Sequence, residues 1–400
     1  MRIVEINMTH VGSTGKIMVG IAECARQRGH EVYTFSPREY QRRKKTETPA
    51  IYGHEYFGSR FENMLHIIFS EITGFQGCFS VFGTLQLIRK IKRIQPDVIH
   101  LHNLHNRTIN IPLLFSYLKK SQSKTIWTLH DCWPVTGQCP HFTMEKCEKW
   151  KTGCGHCTQT QIYPKAYVDR TAVMWKLKRK WFTGLENMTL VTPSLWLANI
   201  IMQSFLKDYP TKVINNGIDL DLFCPMKVTP NDERLVGKKI VLGVAFDWSR
   251  RKGFDIFQRL SRELPEQYQI VLVGTDDSVD KELPQNVISI HQTNNQKELA
   301  RFYSIADVFV NPTREDNFPT VNIEALACGT PVITFRTGGS PEIPDDRSGI
   351  VVECDDFDAL KQKIRFLCEH QPIDRNDCRK RAEEFDMYEK FRQYVELYAE

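Results

Sequence analysis

The chain has no uninterrupted apolar run near the roughly 18 residues that a membrane-spanning helix needs. The nearest candidate, residues 64–83, is interrupted by Glu71 and by several Gly and Ser residues. The first residues have the pattern of a strand and lack the apolar segment of a secretory signal peptide. We therefore expect a cytoplasmic protein, in which the 12 cysteines are thiols or metal ligands rather than disulfides.

The chain also lacks a strong excess of either charge, because 53 Lys and Arg residues stand against 48 Asp and Glu residues, for a net charge of +5. This balance gives no reason to expect a nucleic-acid partner, but it permits an anionic ligand or an anionic membrane surface. Low-complexity segments and solenoid repeats are absent as well. What is present is the composition of a globular enzyme, and 400 residues predict two domains of about 200 residues each.

The first half of the chain alternates between strand and helix patterns. Residues 2–6 form an apolar strand, Gly12-Ser-Thr-Gly15 is a glycine-bearing loop, and residues 16–28 have helical spacing. Further strands are predicted at residues 32–35, 97–102, 125–129, 190–193 and 212–215. Alternation of this kind predicts a parallel, doubly wound sheet.

The pattern restarts after residues 222–237, whose Pro, Asn, Asp and Gly residues indicate a linker. Beyond it, strands are predicted at 239–245, 269–274, 287–290, 307–311, 331–335 and 349–352, and helices at 254–264, 296–305, 319–328, 356–369 and 388–399. We predict an α/β protein with two Rossmann-like domains, 1–222 and 223–385, and a final segment, 386–400, that packs back on the N-terminal domain. Ligands of such sheets bind outside the carboxyl ends of the strands, so the two domains are expected to face a cleft.

One segment of the second half combines acidic residues with the start of a helix. A strand leads into Arg314, Glu315 and Asp316, and Pro319 suits the first turn of the helix that follows. The N–H groups and the positive dipole end of such a helix favour a phosphate. Glu324 lies beside the small apolar side of this helix, where the hydroxyl groups of a ribose could satisfy its carboxylate. An exposed Glu on a solvated face is the alternative.

Residues 316–332 resemble the C-terminal signature of family 4 glycosyltransferases, which are retaining enzymes of GT-B fold. That signature has a Glu, seven residues, a second Glu, a run of small residues and Gly-Thr-Pro-Val. Glu324 matches the second Glu, which binds the ribose in the family. Asp316 takes the place of the first Glu, which lies by the donor sugar, and Glu315 precedes it.

A basic loop resembles the segment of the same family whose cations bind the donor diphosphate. The loop is Arg250-Arg-Lys-Gly253, in which Lys252 is the best match. The Gly-Arg-Leu that usually precedes it in the family is missing, and Arg251 or Arg250 could replace the lost arginine. Two cations beside a helix start would balance a diphosphate and stabilise it as a leaving group. A solvated basic loop is the alternative.

Two further segments of the second half resemble the family. Thr337-Gly-Gly-Ser-Pro-Glu342 resembles its second glycine turn, where Gly338 and Gly339 let backbone N–H groups approach the donor. Asn215-Asn-Gly-Ile-Asp219 resembles the interdomain motif, so we interpret the neighbouring Asp-x-Asp as structural rather than as a metal site. The resemblance implies that no catalytic metal is needed.

The N-terminal half has two matches of its own. Gly12-Ser-Thr-Gly15 resembles the family loop that reaches over the donor phosphates, which assigns Gly12 and Gly15 to the donor site. His130 matches the position of the active-site His, which could hydrogen-bond the donor sugar. An ordinary tight turn and a structural His are the alternatives. Four more residues follow another strand and are candidate acceptor-side groups: His100, His102, Asn103 and His105.

An insert at 130–158 holds five cysteines within 26 residues: Cys132, Cys139, Cys147, Cys154 and Cys157. The last two have the Cys-x-x-Cys spacing of a zinc knuckle, and Cys139 and Cys147 could complete a structural four-sulfur site, with Cys132, His141 or His156 as substitutes. Because a second Cys-x-x-Cys is missing, free thiols in a packed loop are the alternative. The insert resembles one found in glycosyltransferases of colanic-acid and O-antigen gene clusters.

Three stretches bear on a membrane partner. Residues 175–182 mix Trp, Lys, Arg and Phe on a predicted helix, and residues 42–45 are a second basic run. Such stretches can lie on an anionic membrane, although a solvated helix with two packed tryptophans explains the first equally well. The apolar residues between 57 and 88 could grip a lipid carrier or fill the core.

These resemblances imply a retaining glycosyltransferase that moves a hexose from a UDP- or GDP-sugar to a hydroxyl group, on a glycan or lipid-linked oligosaccharide of surface polysaccharide synthesis. His130, Lys252 and Asp316 are then the catalytic residues. The family's usual mechanism is a same-face displacement assisted by the leaving diphosphate, and a covalent double displacement is the alternative. Two alternatives stay open: a nucleotide-sugar epimerase of GT-B fold, and a non-catalytic protein that binds zinc and a membrane. A dehydrogenase is disfavoured, since Gly12-Ser-Thr-Gly15 does not complete Gly-x-Gly-x-x-Gly.

Overall fold

The computed structural model describes residues 1–38, 52–105, 108–229 and 232–400. The chain divides into two compact units, one of Met1–Ile214 with Phe391–Glu400 and one of Asn215–Lys390. Residues 215–222 make their contacts within the second unit, where the Arg379 guanidinium donates to the carbonyl oxygens of Leu220 and Phe223. The basic run at 42–45 lies outside the described residues.

The first unit contains a parallel sheet with helices between its strands. Its elements are β1 (Arg2–Ile6), α1 (Gly12–Gln27), β2 (Glu31–Pro37), β3 (His54–Phe57), α2 (Arg60–Thr73), α3 (Val81–Ile94), β4 (Val98–Leu101), α4 (Ile111–Leu118), β5 (Lys124–Thr128), α5 (Thr171–Phe182), β6 (Met188–Thr192), α6 (Leu195–Met202) and β7 (Thr211–Val213). Among the described residues the strand order is β3-β2-β1-β4-β5-β6-β7. The chain thus winds outward from β1 in both directions, which is the doubly wound topology.

The second unit repeats this arrangement. Its elements are β8 (Lys239–Val244), α7 (Phe254–Glu263), β9 (Tyr268–Val273), α8 (Asp277–Asp280), β10 (Val287–Ile290), α9 (Gln296–Ile305), β11 (Val308–Asn311), α10 (Thr320–Ala327), β12 (Val332–Phe335), β13 (Gly349–Val352), α11 (Phe357–His370) and α12 (Arg375–Glu383), followed by α13 (Met387–Ala399), whose residues from Phe391 onward belong to the first unit. The strand order is β10-β9-β8-β11-β12-β13, within the part of the chain that the structure describes.

Both sheets are buried on their two faces, because helices cover each side of a parallel sheet. All four residues of β11 are buried, and Phe309 packs into one apolar cluster while Val308 and Val310 pack into another on the opposite face. In the first unit, Phe115 and Phe182 close over Trp127 with ring centroids 4.6–5.3 Å apart. The prediction of two parallel, doubly wound sheets is confirmed.

The predicted loop Gly12-Ser-Thr-Gly15 is wrong, since these residues form the first turn of α1. Gly12 has a φ of +74°, and a Cβ added to Gly15 would lie 2.4 Å from the carbonyl carbon of His10. At this helix start Gly12 therefore permits a left-handed backbone conformation, and Gly15 permits close packing against His10. The other predicted strand and helix bounds lie within two residues of the observed ones.

Candidate functional site

The loop that follows β11 is held by a buried arginine. The Arg314 guanidinium is 6% exposed, makes two bonds of 2.8 and 2.9 Å to the Asp255 carboxylate and one of 2.7 Å to Asp355. Its carbonyl oxygen accepts a bond of 2.8 Å from the Thr337 hydroxyl. Paired, nearly rigid side chains of this kind fix the backbone on which the next two residues, Glu315 and Asp316, are carried.

Lys252 and Asp316 form an ion pair at the edge of this loop. The ammonium nitrogen lies 2.6 Å from Asp316 Oδ2, and both side chains are about one-fifth exposed. Lys252 ends a short 3₁₀ turn, and Gly253 has a φ of +78° with its Cα so close to Pro312 that a Cβ would lie 2.5 Å from the Pro312 oxygen. The sequence therefore places a cation beside the carboxylate through a glycine that no larger residue could replace.

The predicted glycine turn lies against the same carboxylate residue. Gly338 has a φ of +54°, and a Cβ there would lie 1.6 Å from the Asp316 carbonyl oxygen. The Gly339 N–H donates to that oxygen at 3.3 Å. The Arg251 side chain donates at 3.4 Å to the Glu315 oxygen. The structure thus brings together Lys252, Arg251, Asp316, Gly338 and Gly339, as the resemblance implies.

Glu324 lies on α10, the helix that follows this loop, and is half-buried. The Tyr303 hydroxyl donates to Glu324 Oε2 at 3.0 Å, and Tyr303 is fully buried. Burial and the neighbouring carboxylate raise the pKa of Tyr303 well above its usual value, so the phenol stays a donor. Sequence reasoning missed Tyr303, because its helix α9 precedes β11 and nothing in its spacing relates it to Glu324.

His130 follows β5 in the first unit and contacts a second histidine. Its Nε2 lies 3.2 Å from His102 Nδ1, and the two rings stack with centroids 5.5 Å apart. Burial, reinforced by His102, lowers the pKa of His130 to about 3, which keeps the ring neutral at physiological pH. The Asp131 carboxylate turns instead to His105, at 2.7 Å. Gly12 and Gly15 stand at the start of α1, at the carboxyl end of the neighbouring strand β1.

The four predicted zinc ligands lie in one part of the insert. A hydrogen bond joins the thiols of Cys139 and Cys157, which lowers the pKa of Cys157 to about 7 and raises that of Cys139. Cys154 accepts the Gly137 N–H at 3.2 Å and is near enough to Cys147 and Cys157 for their charges to affect its pKa. Within the described ranges, however, no three of these sulfurs lie within 4.8 Å of one another.

A buried lysine lies beside the cysteine thiols. Lys178 of α5 is fully buried, donates to the carbonyl oxygens of Trp133 and Thr136 at 2.8 and 3.0 Å, and has its ammonium 3.4 Å from the centre of the Trp133 ring. Burial lowers the pKa of Lys178 to about 7, and the nearby thiols oppose this shift. Cys132 is also buried in this core, with its N–H bonded to Pro140.

Helix α5, which contains residues 175–182, packs aromatic residues into the core, as the alternative of a solvated helix with packed tryptophans expects. Trp175 and Phe182 are buried, and the Trp175 indole donates to the Trp150 oxygen at 2.9 Å. The packed aromatic residues of α5 explain the pattern without a membrane. No helix in the described segments has the length and apolar character to cross a bilayer.

Helix α2 is inverted, with polar residues inside and apolar residues outside. Its buried positions are Asn63, His66 and Ser70, and His66 Nδ1 bonds the Ser80 hydroxyl at 2.7 Å. Its outer side shows several large apolar side chains to solvent: Phe61, Ile68, Phe69 and Ile72. Phe82, at the start of α3, is 81% exposed. An amphipathic pattern was therefore visible in the sequence, but not which side faces the core.

Comparison with known proteins gives two family matches. The family model described as Glycosyltransferase Family 4 matches residues 15–222, and the one described as Glycosyl transferases group 1 matches residues 228–385. A protein of Escherichia coli (strain K12), named as the colanic acid biosynthesis glycosyl transferase WcaC, is 29% identical over 281 residues, or 68% of each chain.

Solved structures agree in fold. Sucrose-phosphate synthase from Thermosynechococcus elongatus has a TM-score of 0.72 at 20% identity, covering 100% of this chain and 98% of its own. HepE from Anabaena, in complex with UDP-glucose, has a TM-score of 0.66 at 16% identity, covering 100% and 99%. These likenesses show the GT-B fold.

Proposed function

Because this chain belongs to glycosyltransferase family 4, we propose that it moves a hexose from a nucleotide diphosphate sugar to an acceptor hydroxyl with retention at the anomeric carbon. A UDP- or GDP-sugar is the donor in this proposal, and the binding of UDP-glucose by HepE, a protein of the same fold, supports a uridine nucleotide. The colanic acid biosynthesis name of WcaC supports an acceptor of polysaccharide synthesis, and we propose that this acceptor is a lipid-linked oligosaccharide.

The observation that carries this proposal is the Lys252–Asp316 pair, 2.6 Å apart and held by the Arg314 anchor and the Gly338 turn. A cation held at a partly buried edge suits a diphosphate, whose negative charge grows as the sugar leaves. Lys252, with Arg251 beside it, would stabilise that leaving group. Asp316 would contact the donor sugar, and Glu324, oriented by Tyr303, would accept the ribose hydroxyl groups.

Retention of the anomeric configuration then follows from the position in which the leaving diphosphate is held. Lys252 keeps the diphosphate next to the sugar, so a phosphate oxygen can accept the proton of the incoming hydroxyl on the same face. His130, kept neutral by burial, would contribute a hydrogen bond to the donor sugar. The roles of these residues need no metal ion.

The experiment compares donor binding and sugar transfer in two variants and a control. Lys252→Ala removes the diphosphate cation and Glu324→Gln weakens the ribose contact, so each should lower UDP affinity and turnover by about tenfold or more, given about 1.5–3 kcal/mol for a hydrogen bond to a charged group. Lys361→Ala, which breaks an ion pair of 2.5 Å with Glu263 elsewhere in the same unit, is the matched control.

Transfer at wild-type rates in both variants would show that the donor site is assigned wrongly. Interconversion of nucleotide sugars without any acceptor would favour an epimerase instead. Screening UDP- and GDP-sugars by calorimetry identifies the donor.

We also propose that the insert holds a structural zinc ion through Cys139, Cys147, Cys154 and Cys157. The thiols are neighbours, and the linked pair of Cys139 and Cys157 has already lowered one thiol pKa to about 7, which favours the thiolate that zinc needs. The buried Lys178 would offset part of the negative charge of four thiolates. Zinc would have to draw the sulfurs closer together than they lie in the structure.

Elemental analysis tests the zinc proposal. The protein purified without added metal should carry about one zinc per chain, and Cys154→Ser should lose it. The matched control is Cys354→Ser, because Cys354 is an exposed cysteine of the second unit. Full activity with no zinc in the wild-type protein would leave the thiols as packing residues.

The inverted helix α2 is the surface through which we propose contact with an anionic bilayer. Phe61 is 66% exposed, Ile72 is 55% exposed and Phe82 is 81% exposed, so apolar side chains are available to enter the acyl region. Arg60 begins the helix, and beyond its end the Arg170 guanidinium lies over the Phe75 ring. Cations on both sides of an apolar face complement anionic headgroups.

Vesicle sedimentation tests this surface. Binding should be stronger to phosphatidylglycerol than to phosphatidylcholine vesicles and should fall in a Phe69→Ser, Phe82→Ser double variant. Phe366→Ser, which removes an exposed Phe from a helix of the second unit, should bind as the wild type does. Equal binding of the double variant and the wild type would rule out this face.

A further inference from the structure

A set of buried polar side chains lies beneath His130 in the first unit. His100 lies on β4, and His102 directly follows that strand with its N–H bonded to the Ile6 oxygen, so both side chains point to the same face of the sheet. Glu5 is the register partner of His100 on the neighbouring strand β1. Helix α13 covers this face with Tyr394 and Tyr398, one helical turn apart. Glu5, His100 and His102 are all 0% exposed, so their polar atoms need hydrogen-bond partners within the protein.

The side chains form a continuous chain of contacts. Thr128 Oγ1 lies 2.8 Å from His100 Nε2, and His100 Nδ1 lies 2.7 Å from the Tyr398 hydroxyl, which donates to Glu5 Oε1 at 3.2 Å. Glu5 Oε2 lies 3.5 Å from His102 Nε2. His102 Nδ1 lies 3.2 Å from His130 Nε2, which brings the chain to the residue that the proposed function places in the active site.

A metal ion would explain three of these side chains, since ligand atoms of Glu5, His100 and His102 lie within 4.8 Å of one another. The hydrogen bonds argue otherwise. Both ring nitrogens of His100 are taken, by Tyr398 and by Thr128, and His102 Nδ1 is taken by His130. Among the described residues, Glu5 Oε2 and His102 Nε2 have no hydrogen-bond partner and face each other. At 3.5 Å they lie just beyond a normal hydrogen bond, so a small approach of the two side chains would let one proton bridge them.

We propose that Glu5 is the buried end of a proton relay that passes through His102 and opens at His130, so that Glu5 is a positioning residue that sets which ring nitrogen of His130 carries the proton. This inference rests on the proposed function for the role of His130, but the relay itself is a property of the first unit alone. All of its atoms lie within that unit.

The relay has two states that differ by one proton. With Glu5 protonated, its O–H donates to His102 Nε2, His102 Nδ1–H donates to His130 Nε2, and His130 carries its own proton on Nδ1. With Glu5 ionised, His102 Nε2–H donates to the carboxylate, His130 Nε2–H donates to His102 Nδ1, and His130 Nδ1 is an acceptor. Going from the first state to the second, the Glu5 proton moves to His102 Nε2 and the His102 Nδ1 proton moves to His130 Nε2. The Nδ1 proton of His130, which is partly exposed, passes to water.

The buried charge therefore appears at Glu5 while the proton is released at His130. In reverse, a proton that arrives at His130 Nδ1 ends on the Glu5 carboxylate without forming an imidazolium. The electrostatic surroundings support both states. Burial lowers the pKa of His102 and of His130 to about 3, so both rings stay neutral, and burial raises the pKa of Glu5 to about 8.

The groups that face Glu5 come from three elements. Tyr398 and Tyr394 approach from α13, His100 and His102 from β4, and Arg26 acts on it from α1. The Tyr398 hydroxyl and the Arg26 charge each favour the ionised carboxylate, and burial opposes them. Removing the Tyr398 hydroxyl should therefore make Glu5 harder to ionise.

Nitrogen NMR of the full chain labelled with 15N-histidine tests the relay without reference to sugar transfer. In the wild type, His130 should change from the Nδ1–H to the Nε2–H tautomer as the pH rises from about 6.5 to 9.5. In Glu5→Gln the amide N–H donates permanently to His102 Nε2, so His130 should stay in the Nδ1–H tautomer throughout. In Tyr398→Phe the change should still occur, with its midpoint at higher pH.

Glu31→Gln is the matched control, because Glu31 also accepts from a tyrosine hydroxyl, that of Tyr33, but touches no histidine of the relay. It should leave the change of tautomer intact. One unchanging His130 tautomer in the wild type, or the same change in Glu5→Gln, would overturn the relay. If Glu5→Gln does not fold, the direction of the Tyr398→Phe shift decides.

Activity separates the relay from the proposed function. With a donor and acceptor in hand, kcat/KM of the wild type should change with pH at the midpoint of the tautomer change, and Glu5→Gln should lose that limb while Glu31→Gln keeps it. Absence of sugar transfer by the wild type would defeat the proposed function and leave the tautomer result standing. A transferase whose His130 tautomer ignores Glu5 would defeat the relay alone.

Discussion

Replacing Tyr303 by Phe removes one hydroxyl group from the second unit and leaves the ring in its packing. That hydroxyl donates to Glu324 Oε2 at 3.0 Å, and it belongs to a fully buried side chain. A hydrogen bond to a charged group contributes about 1.5–3 kcal/mol. Because Glu324 is half-buried and water can replace part of the bond, we expect about 1–2 kcal/mol here.

This loss should appear in the affinity for the donor nucleotide. If Tyr303 holds Glu324 in position for the ribose, then 1.36 kcal/mol for each factor of ten gives an affinity for UDP that is about 5–30-fold lower. Calorimetric titration with UDP measures this directly. A nucleoside diphosphate without ribose hydroxyl groups should bind the variant and the wild type equally, which assigns the effect to the ribose contact.

Tyr268→Phe is the matched control, because the Tyr268 hydroxyl donates to Glu369 at 2.8 Å in the same unit but outside the candidate site. Tyr268→Phe should lower the melting temperature about as much as Tyr303→Phe does, and it should leave UDP affinity unchanged. An unchanged UDP affinity in Tyr303→Phe, together with a lowered melting temperature, would refute the reasoning and show that the bond serves the fold alone.

Three further predictions concern the glycine turn, the stereochemistry and the buried acid. Gly338→Ala should lower the unfolding free energy by more than the roughly 1–2 kcal/mol of a left-handed residue and reduce turnover at least tenfold, because its Cβ would lie 1.6 Å from the Asp316 carbonyl oxygen. The control Gly237→Ala, at φ +72° with nothing within 4 Å of its Cβ, should leave turnover unchanged. Proton NMR of the product should show the anomeric configuration of the donor, and inversion would contradict the proposed mechanism. Burial raises the pKa of Glu5 from 4.5 to about 8, so between these values the native state holds a proton that the unfolded chain has lost, and the wild type loses stability as the pH rises. The unfolding free energy of Glu5→Gln should therefore gain up to about 2 kcal/mol relative to the wild type between pH 6.5 and 8. A difference that does not change with pH would contradict this.

The sheets could be predicted from the sequence because buried strands of a parallel sheet read as apolar runs between helices. β11 and β12 are examples, since every residue in them is buried. Helix α1 was placed four residues late, because a glycine at a crowded helix start has the same letter as a glycine in a loop. The inverted α2 could not be oriented, since periodicity gives an apolar face but not what lies against it.

The residues that we assign to the proposed donor site could be grouped from the sequence because they lie on a short, ordered segment that resembles a family signature. Lys252 precedes Asp316 by 64 positions and was matched through a second segment. The structure brings its ammonium group into contact with the Asp316 carboxylate. Tyr303 and Glu5 were missed for a common reason. Tyr303 contacts Glu324, 21 positions away, and Glu5 contacts His102 as well as Tyr398, which is 393 positions away. Pattern analysis of a single sequence does not detect such long-range pairs.

The return of Phe391–Glu400 to the first unit has a consequence for synthesis on the ribosome. The second unit is made in between, and at about 5–20 residues per second its translation takes roughly 10–35 s. If the first unit folds as it is synthesised, Glu5 and His100 lie in strands during that interval. Tyr394 and Tyr398, each 3% exposed in the finished protein, have not yet emerged. The polar face of the first sheet that α13 later covers is then open to solvent, and a partner that shields this face would act during this interval.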